Sequence, residues 1–273
     1  MRKNVHLRRR QGIGILLFLA LALAVPFLAF SLYAFSFRWF FPQLIPQTWT
    51  LRAWQRILAG NFGMLRAGFA SISLAGIVTT AALLIGLPAS RALGLYRFRF
   101  KKVVEFLVLA PAIVPPVAIG MGLSVLFSRL GLSGTWTGVA LVHLIPVLPY
   151  VILTLAAAFS RYDTSLEDQA RTLGAGPLQV FFYITLPTIF PAVMVSGLFA
   201  FLISFSQYTL TMLIGAGRII TLPILLFSTI PGGDIPAVSA LSIVFVLPSL
   251  FILMLTARYL AGHPAETQKM GRI

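Results

Sequence analysis

Residues 167–187 read EDQARTLGAGPLQVFFYITLP and combine charges with helix start and stop signals. The chain has 6 acidic residues among 273, and Asp163, Glu167 and Asp168 lie within or just before this stretch. Thr164 followed by Glu167 predicts a capping box at the start of a short helix. Glu167 and Asp168 then fall in its first turn, where negative charge suits the helix dipole.

Glycine and proline predict how this helix ends and how the chain continues. Gly174 fits the left-handed position after a helix, and Pro177 after Gly176 fits the first position of the next one. We therefore expect two short helices at an angle, joined by a glycine corner, on the membrane surface. Two interpretations remain: a well-capped connection, or a helix whose charged edge faces outward and docks into a partner's groove.

The composition predicts an integral membrane protein. The chain is 59% hydrophobic and 10% charged, with a mean hydropathy of +0.95. Soluble domains have about 25% charged residues, so the surface of a soluble fold could not be covered. The chain has no cysteine, which excludes disulfides and cysteine metal sites. No other metal site is predicted.

Uncharged runs predict an all-α fold with six transmembrane helices, since about 20 apolar residues cross a bilayer. These helices are expected near 13–35, 67–90, 105–127, 137–159, 188–212 and 237–258. The first is too long for a signal peptide and is predicted to remain uncleaved. Residues 215–235 are rich in glycine and proline and predict an irregular or partly re-entrant segment.

The distribution of Lys and Arg predicts that both termini are cytoplasmic. Fifteen of these residues fall on one side of the predicted spans and six on the other, and the richer side faces inward. The expected organisation is a cytoplasmic basic N-terminus (1–12), a six-span transmembrane domain (13–260) with an inner loop at 160–187, and a cytoplasmic tail (261–273). A basic face on a soluble module, typical of nucleic-acid binding, is absent from this pattern.

The spacing of the inner loop resembles the EAA loop of permease subunits of binding-protein-dependent ABC importers. That pattern is E-A-A, three residues, G, nine residues, then I-x-L-P. Asp168 and Gln169 replace the first two letters, and the Asp keeps the charge of the Glu. The other five positions are identical: Ala170, Gly174, Ile184, Leu186 and Pro187.

The resemblance implies a type I ABC importer permease in the bacterial inner membrane. It implies that the loop, with Thr164, Glu167 and Arg171, couples the chain to cytoplasmic ATP-binding subunits, of which two are expected. It also implies a second permease, identical or similar, and a solute-binding protein outside. ATP and Mg²⁺ would bind the partner ATPase, and this chain would hold no cofactor and catalyse no reaction.

Two further stretches resemble the subgroup that transports polyamines, iron, phosphonates and related solutes. One is APAIVPPVAIGMGLSVLF at 110–127, and the other is SFSQYTLTMLIGAGRIITLPILLFSTI at 204–230. In the first, Pro111, Pro115 and Pro116 predict a bend and a candidate hinge. Proline is also common in membrane helices without such a role.

Polar residues in the fifth predicted span are candidates for a solute path. They are spaced i, i+3, i+4, i+7 and so would share one helical face: Ser204, Gln207, Tyr208 and Thr211. The alternative is packing between helices. Polyamine permeases often have acidic residues near this point, whereas this chain has Ser206 and Gln207, a departure that argues against a polycation substrate without selecting an anion. His143, in the fourth span, is predicted to be a neutral packing residue that hydrogen-bonds to carbonyls freed by nearby prolines, and the alternative is a functional ionisable group within the membrane.

The sequence lacks the motif of an ATPase, and two other classes of function remain as alternatives. No G-x-x-x-x-G-K-[ST] phosphate loop is present, so the chain is not itself expected to hydrolyse ATP. The alternatives are a subunit of an ion-gradient-driven secondary transporter, and a membrane scaffold or intramembrane enzyme. Trp39, Trp49 and Trp54 predict an outer interface belt or an amphipathic segment, and the outer region 36–65 is a candidate contact for a solute-binding protein.

Overall fold

The computed structural model describes residues 21–262 except 23, 38, 40–42, 44, 61 and 62. The predicted N-terminus 1–12, the beginning of the first predicted span, and residues 263–273 lie outside this part. The described chain divides into two compact units, residues 1–66 with 225–247, and residues 67–224 with 248–273.

Helices make up most of the described chain. In chain order they are α1 (Ala24–Ala34), α2 (Arg52–Leu58), α3 (Met64–Leu95), α4 (Lys101–Ile113), α5 (Pro116–Arg129), α6 (Trp136–Phe159), α7 (Ser165–Thr172), α8 (Pro177–Val180), a π-helical turn (Phe181–Thr185), α9 (Leu186–Phe205), α10 (Thr209–Gly215), α11 (Leu222–Thr229), a 3₁₀ turn (Ile230–Gly232) and α12 (Ile235–Gly262).

Four helical segments are long and apolar enough to cross a bilayer by themselves. They are α3, α6, the continuous run Pro177–Phe205, and α12. The pair α4 and α5 is long and apolar enough only when taken together, and its sharp bend fits either one broken span or a re-entrant loop. The first predicted span is represented among the described residues by the short helix α1, so the total of six spans stays a prediction.

The third predicted span is sharply bent at its prolines. Helices α4 and α5 meet at 97°. Val114 between them is extended, with φ −74° and ψ 131°, because a residue before proline is disfavoured in the helical region. Pro116 begins α5 and Pro111 lies inside α4. The predicted bend is present at Pro115 and Pro116, while movement about it remains a prediction.

The fifth predicted span differs from expectation at both ends. It begins earlier, because α8 continues through the π turn into α9 as one 29-residue helical segment. The expected separate second surface helix is therefore wrong. The span also ends earlier, at Phe205. Residues 206–208 are not helical and form an interruption between α9 and α10.

The glycine-rich segment 215–235 is more helical than predicted. Irregular backbone is limited to 216–221 and 233–234, and Ala216, Gly217 and Gly233 have positive φ. Helix α11 and the 3₁₀ turn form an apolar helical stretch from Leu222 to Gly232. Such a stretch is too short to cross about 30 Å of hydrocarbon, which agrees with the expectation that it is not a seventh span.

In the unit formed by 1–66 and 225–247, a short pairing and an ion pair order the segment before α3. The N–H of Phe37 donates to Thr48 O at 3.1 Å, beside an isolated antiparallel bridge between Ser36 and Trp49. Arg56 of α2 forms a 2.6 Å ion pair with Asp234.

In the unit formed by 67–224 and 248–273, α3 packs closely on α6 through small residues. A Cβ added to Gly86 would lie 2.6 Å from Val151 Cγ1, and one added to Gly94 would lie 2.4 Å from Phe159 Cβ. Ser90, halfway between these glycines, is buried. Small residues at four-residue intervals allow the backbones of membrane helices to approach closely. The contact fixes the C-terminal end of α3 beside α6.

Candidate functional site

The first short helix of the loop is α7, and its start is capped differently from prediction. The N–H of Ser165 donates to Asp163 Oδ1 at 2.9 Å, and this hydrogen bond lowers the pKa of the exposed Asp163 carboxyl. Thr164 is the N-cap residue but makes no side-chain cap bond. The predicted capping box of Thr164 and Glu167 is therefore wrong.

The end of α7 has the predicted glycine corner. Gly174 has φ +89°, a conformation that is strained for residues with a Cβ. Its N–H donates to Arg171 O at 3.0 Å, and the N–H of Ala175 donates to Ala170 O at 3.0 Å. These two bonds form a Schellman motif. Pro177 then occupies the first position of α8, as predicted.

Glu167, on α7, is buried and therefore is not part of an outward charged edge of the helix. Its Oε1 and Oε2 accept hydrogen bonds from Arg91 Nη1 and Nη2 at 2.8 and 2.6 Å. Thr185 Oγ1 donates to Oε1 at 2.7 Å, and Arg171 Nη2 lies 3.4 Å from Oε2. Hydrogen bonding from Arg91 is the main reason why the pKa of Glu167 falls to about 2, against the opposing effect of burial.

The outward face of the loop combines polar and apolar side chains. Asp168, Gln169 and Arg171 are exposed, and a 3.7 Å ion pair joins Asp168 to Arg171. Leu173, next to the glycine corner, is 88% exposed, and Leu178 is exposed nearby. The remaining family positions lie at the base of the fifth span, where Ile184 and Leu186 are half-buried and Pro187 is exposed.

The four candidate path residues do not share one helical face. Ser204 lies at the end of α9 and Thr211 in α10, while Gln207 and Tyr208 are half-buried in the interruption. Ser204 Oγ and Thr211 Oγ1 lie 3.0 and 2.8 Å from the two ring nitrogens of buried His143. The hydrogen-bonded packing role predicted for His143 is confirmed, with hydroxyls in place of the expected proline-freed carbonyls.

Three residues of the loop site are not predicted by the sequence. Arg91 enters the prediction only as a positive charge on the inward side, and Thr185 and Tyr162 belong to no predicted motif. Thr185 is buried and its hydroxyl lies 3.5 Å from the Tyr162 hydroxyl. The signal in the sequence that could indicate a pairing of Arg91 with Glu167 is their isolation: Arg91 directly follows the uncharged run 67–90, and Glu167 is one of few acids.

Known proteins resemble this chain along most of its length. The putrescine transport system permease protein PotI of Escherichia coli is 32% identical over 229 residues, which cover 81% of this chain and 80% of PotI. The spermidine/putrescine transport system permease protein PotC of Haemophilus influenzae is 28% identical over 203 residues, or 74% of this chain and 79% of PotC.

A solved structure shares the fold. It belongs to a bacterial ABC transporter involved in the import of the acidic polysaccharide alginate. The TM-score is 0.73 at 19% identity, over 91% of this chain and 94% of that one. This likeness confirms the predicted all-α, type I permease fold.

The family pattern described as "Binding-protein-dependent transport system inner membrane component" matches residues 82–262, which include the bent third span, the loop at 160–187 and α12. The match and the similarity to PotI agree with the interpretation of the loop spacing, and they do not favour the secondary-transporter alternative. The chain therefore belongs to the family of binding-protein-dependent transport system inner membrane components and is a multi-pass transport permease of the inner membrane.

Proposed function

We propose that this permease forms half of the pore of an ATP-driven importer and that α7 is its contact with a cytoplasmic ATPase. The observation that carries the proposal is the loop itself. A rigid helix ends at a Schellman corner and exposes Asp168, Gln169 and Leu173 on one side. A short, stiff helix with mixed polar and apolar exposure suits binding in a groove.

The proposed assembly has two permeases, two ATP-binding subunits and one external binding protein. ATP and Mg²⁺ would bind the ATPases, and this chain would bind no cofactor. Closure of the ATPases would bring the two α7 helices together and change the access of the pore from inside to outside. Large exposed apolar side chains on α3 and α12, such as Phe69 and Phe251, are available for lipid and for the second permease.

Both termini are proposed to lie in the cytoplasm. The support is the excess of Lys and Arg on the side that carries α7. The absence of native cysteine makes this testable with single cysteines introduced on each side. Thr172→Cys should react with a membrane-impermeant thiol reagent only in opened cells, whereas a cysteine at the exposed position 218 should react in intact cells.

The proposed cargo is a small polar solute, and putrescine and spermidine are the first compounds to test. The support is that the similar permeases PotI and PotC are named for these compounds. Ser204, Gln207, Tyr208 and Thr211 remain the proposed path, with Pro115 and Pro116 as the proposed hinge. Uptake of labelled putrescine or spermidine through the complete transporter, reduced by the same compound unlabelled, would identify polyamines as the solute class.

The test of the proposed function is purification of the tagged chain from native membranes, followed by mass spectrometry. We expect an ATP-binding subunit in about equal amount. Gly174→Asp should abolish solute-stimulated ATPase activity while the protein still inserts, because a side chain is strained at a φ of +89° and the added carboxylate lies at the negative end of the α7 dipole. Gly176→Ala is the matched control, since its φ of −72° suits alanine.

Two results would contradict the proposal. One is the absence of any ATPase under conditions that keep other transporters intact. The other is normal solute-stimulated ATPase activity in the Gly174→Asp variant, which would leave α7 as a connecting loop only.

A further inference from the structure

One buried carboxylate attaches α7 to two membrane-crossing helices. Glu167 of α7 accepts two hydrogen bonds from Arg91, at the inner end of α3, and one from Thr185, in the π turn that leads into α9. We call Arg91, Glu167 and Thr185 the clamp. It connects residues 76 positions apart in the sequence.

The clamp differs from the ion pairs on the outer side of α7. The Glu167 side chain is 3% exposed, and its bonds to Arg91 form a two-pronged, charge-assisted pair. Opening such a pair leaves a buried charge without a partner, which is strongly unfavourable. The exposed pair of Arg171 and Asp168, at 3.7 Å, carries no such penalty.

The residues around the clamp are also held in place. The Arg91 guanidinium lies 6.0 Å from the ring centre of Phe159, the last residue of α6. Gly94, one turn further along α3, allows no added Cβ against Phe159. A displacement of Arg91 must therefore be shared with the inner end of α6.

The π turn places Thr185 at the clamp. Residues 181–185 form this turn, and the Thr185 side chain is buried and directed at Glu167. An added residue in a helical turn rotates the side chains that follow it, and such turns are frequent at functional sites. The base of α9 is thereby joined to the same carboxylate as α3.

We propose that the clamp stays closed during transport, so that α7 and the inner ends of α3 and α9 move as one body. Arg91 and Glu167 are then positioning residues that pass the displacement of α7 into the spanning helices. This inference rests on the proposed coupling function of α7 and specifies which helices receive the movement.

The first test separates coupling from assembly in the complete transporter. In Arg91→Gln and in Glu167→Gln we expect co-purification of the ATPase and its basal activity to persist. Stimulation by the loaded binding protein, and uptake, should fall by about fivefold or more. The reciprocal exchange R91E/E167R should recover part of the lost stimulation. Arg97→Gln, which removes the same charge from an exposed position just after α3, is the matched control and should keep wild-type coupling.

The second test does not depend on variants of the clamp. Because the chain has no cysteine, spin labels can be placed at Ala92→Cys on α3 and Thr172→Cys on α7, both exposed positions. Labelled copies diluted into unlabelled complexes should give the same mean distance with and without ATP. Stimulated ATPase activity of the labelled complex would verify that the cycle runs.

Several outcomes would overturn the clamp. These are wild-type stimulation in Glu167→Gln, no recovery in the reciprocal exchange, or an ATP-dependent distance change larger than about 2 Å, the size of ordinary helix shifts. Failure of the proposed function is distinguishable, because then no ATPase would accompany the unaltered chain. If Gly174→Asp abolishes the stimulation of ATPase activity and Glu167→Gln does not, the proposed function stands and only the proposal of a closed clamp is wrong.

Discussion

The Nδ1 atom of His143 lies 3.0 Å from the hydroxyl oxygen of Ser204, at the point where α9 is about to end. The other ring nitrogen reaches Thr211 in α10, so one imidazole on α6 bridges both sides of the interruption at 206–208. Ser204 and Thr211, two of the four polar residues expected to line a path, are thus hydrogen-bonded to a buried side chain. Gln207 and Tyr208, in the interruption itself, are the more exposed pair.

Replacement of the bridging imidazole should loosen this interruption. In His143→Leu an apolar side chain fills the space of the imidazole, but the buried hydroxyls of Ser204 and Thr211 lose their hydrogen bonds to the ring. We expect a loss of about 1 kcal/mol in stability, in the range of hydrogen bonds between membrane helices. Thermal unfolding of the purified protein measures it. Ser206→Ala, which removes an exposed hydroxyl bonded within its own turn, should be nearly neutral, and equal effects would contradict a bridging role.

Gln207→Leu should change transport more than assembly. The side chain is half-buried in the interruption, so its amide is available to a solute without being essential to the helix core. Uptake and its competition by putrescine or spermidine are the measurements, with co-purification of partners as the control. Unchanged uptake would mean that the polar residues near 204–211 serve packing only.

Gly94→Ala should destabilise the contact between α3 and α6. The added Cβ would lie 2.4 Å from Phe159 Cβ and 2.8 Å from the backbone oxygen of Ala156, which cannot move aside easily. Overpacking of this kind costs about 1–3 kcal/mol. Gly76→Ala on the same helix meets no atom within 4 Å. Thermal unfolding should separate the two, and equal stability would contradict the close approach.

Gly174→Ala should weaken the corner after α7 by about 1 kcal/mol, because a Cβ is disfavoured in left-handed backbone. The space around Gly174 is open, with no atom within 4 Å of an added Cβ, so the effect is one of backbone conformation alone. Gly176→Ala again provides the control. Hydrogen exchange at 165–175 should rise in the first variant only; unaltered exchange would argue against the Schellman end.

The contribution of Glu167 to stability should depend on acid pH. Its pKa falls from an ordinary 4.5 to about 2 in the folded protein. A lowered pKa means that the stabilisation is complete above about pH 4.5 and is lost as the pH falls towards 2. The difference in melting temperature between the wild type and Glu167→Gln should therefore be constant from about pH 8 to 5 and shrink below that. Shrinkage that begins near neutral pH would contradict the assigned pKa.

The features that the sequence predicted well are local or compositional. The transmembrane class follows from few charges and long apolar runs, since lipid accepts little else. The corner at Gly174 and the start of α8 at Pro177 follow from single-residue backbone preferences. The bend at Pro115 and Pro116 has the same origin, because proline lacks an N–H and restricts the residue before it.

The features that the sequence mispredicted depend on contacts between distant segments. Glu167 has the spacing of a capping box, yet its carboxylate is drawn to Arg91, because a buried bidentate ion pair outweighs one exposed cap bond. The polar residues from 204 to 211 have helical spacing, yet the helix ends at Phe205. Periodicity reports which residues would share a face only while the helix continues.

Amino-acid order alone thus determined that the chain is a membrane protein and where its inner loop turns, because lipid solubility and backbone conformation act residue by residue. Tertiary structure decided which side chain holds Glu167, where α9 stops and what His143 bonds. Those outcomes depend on which helices pack side by side, and partners 61 to 76 residues apart leave no periodic trace in the sequence.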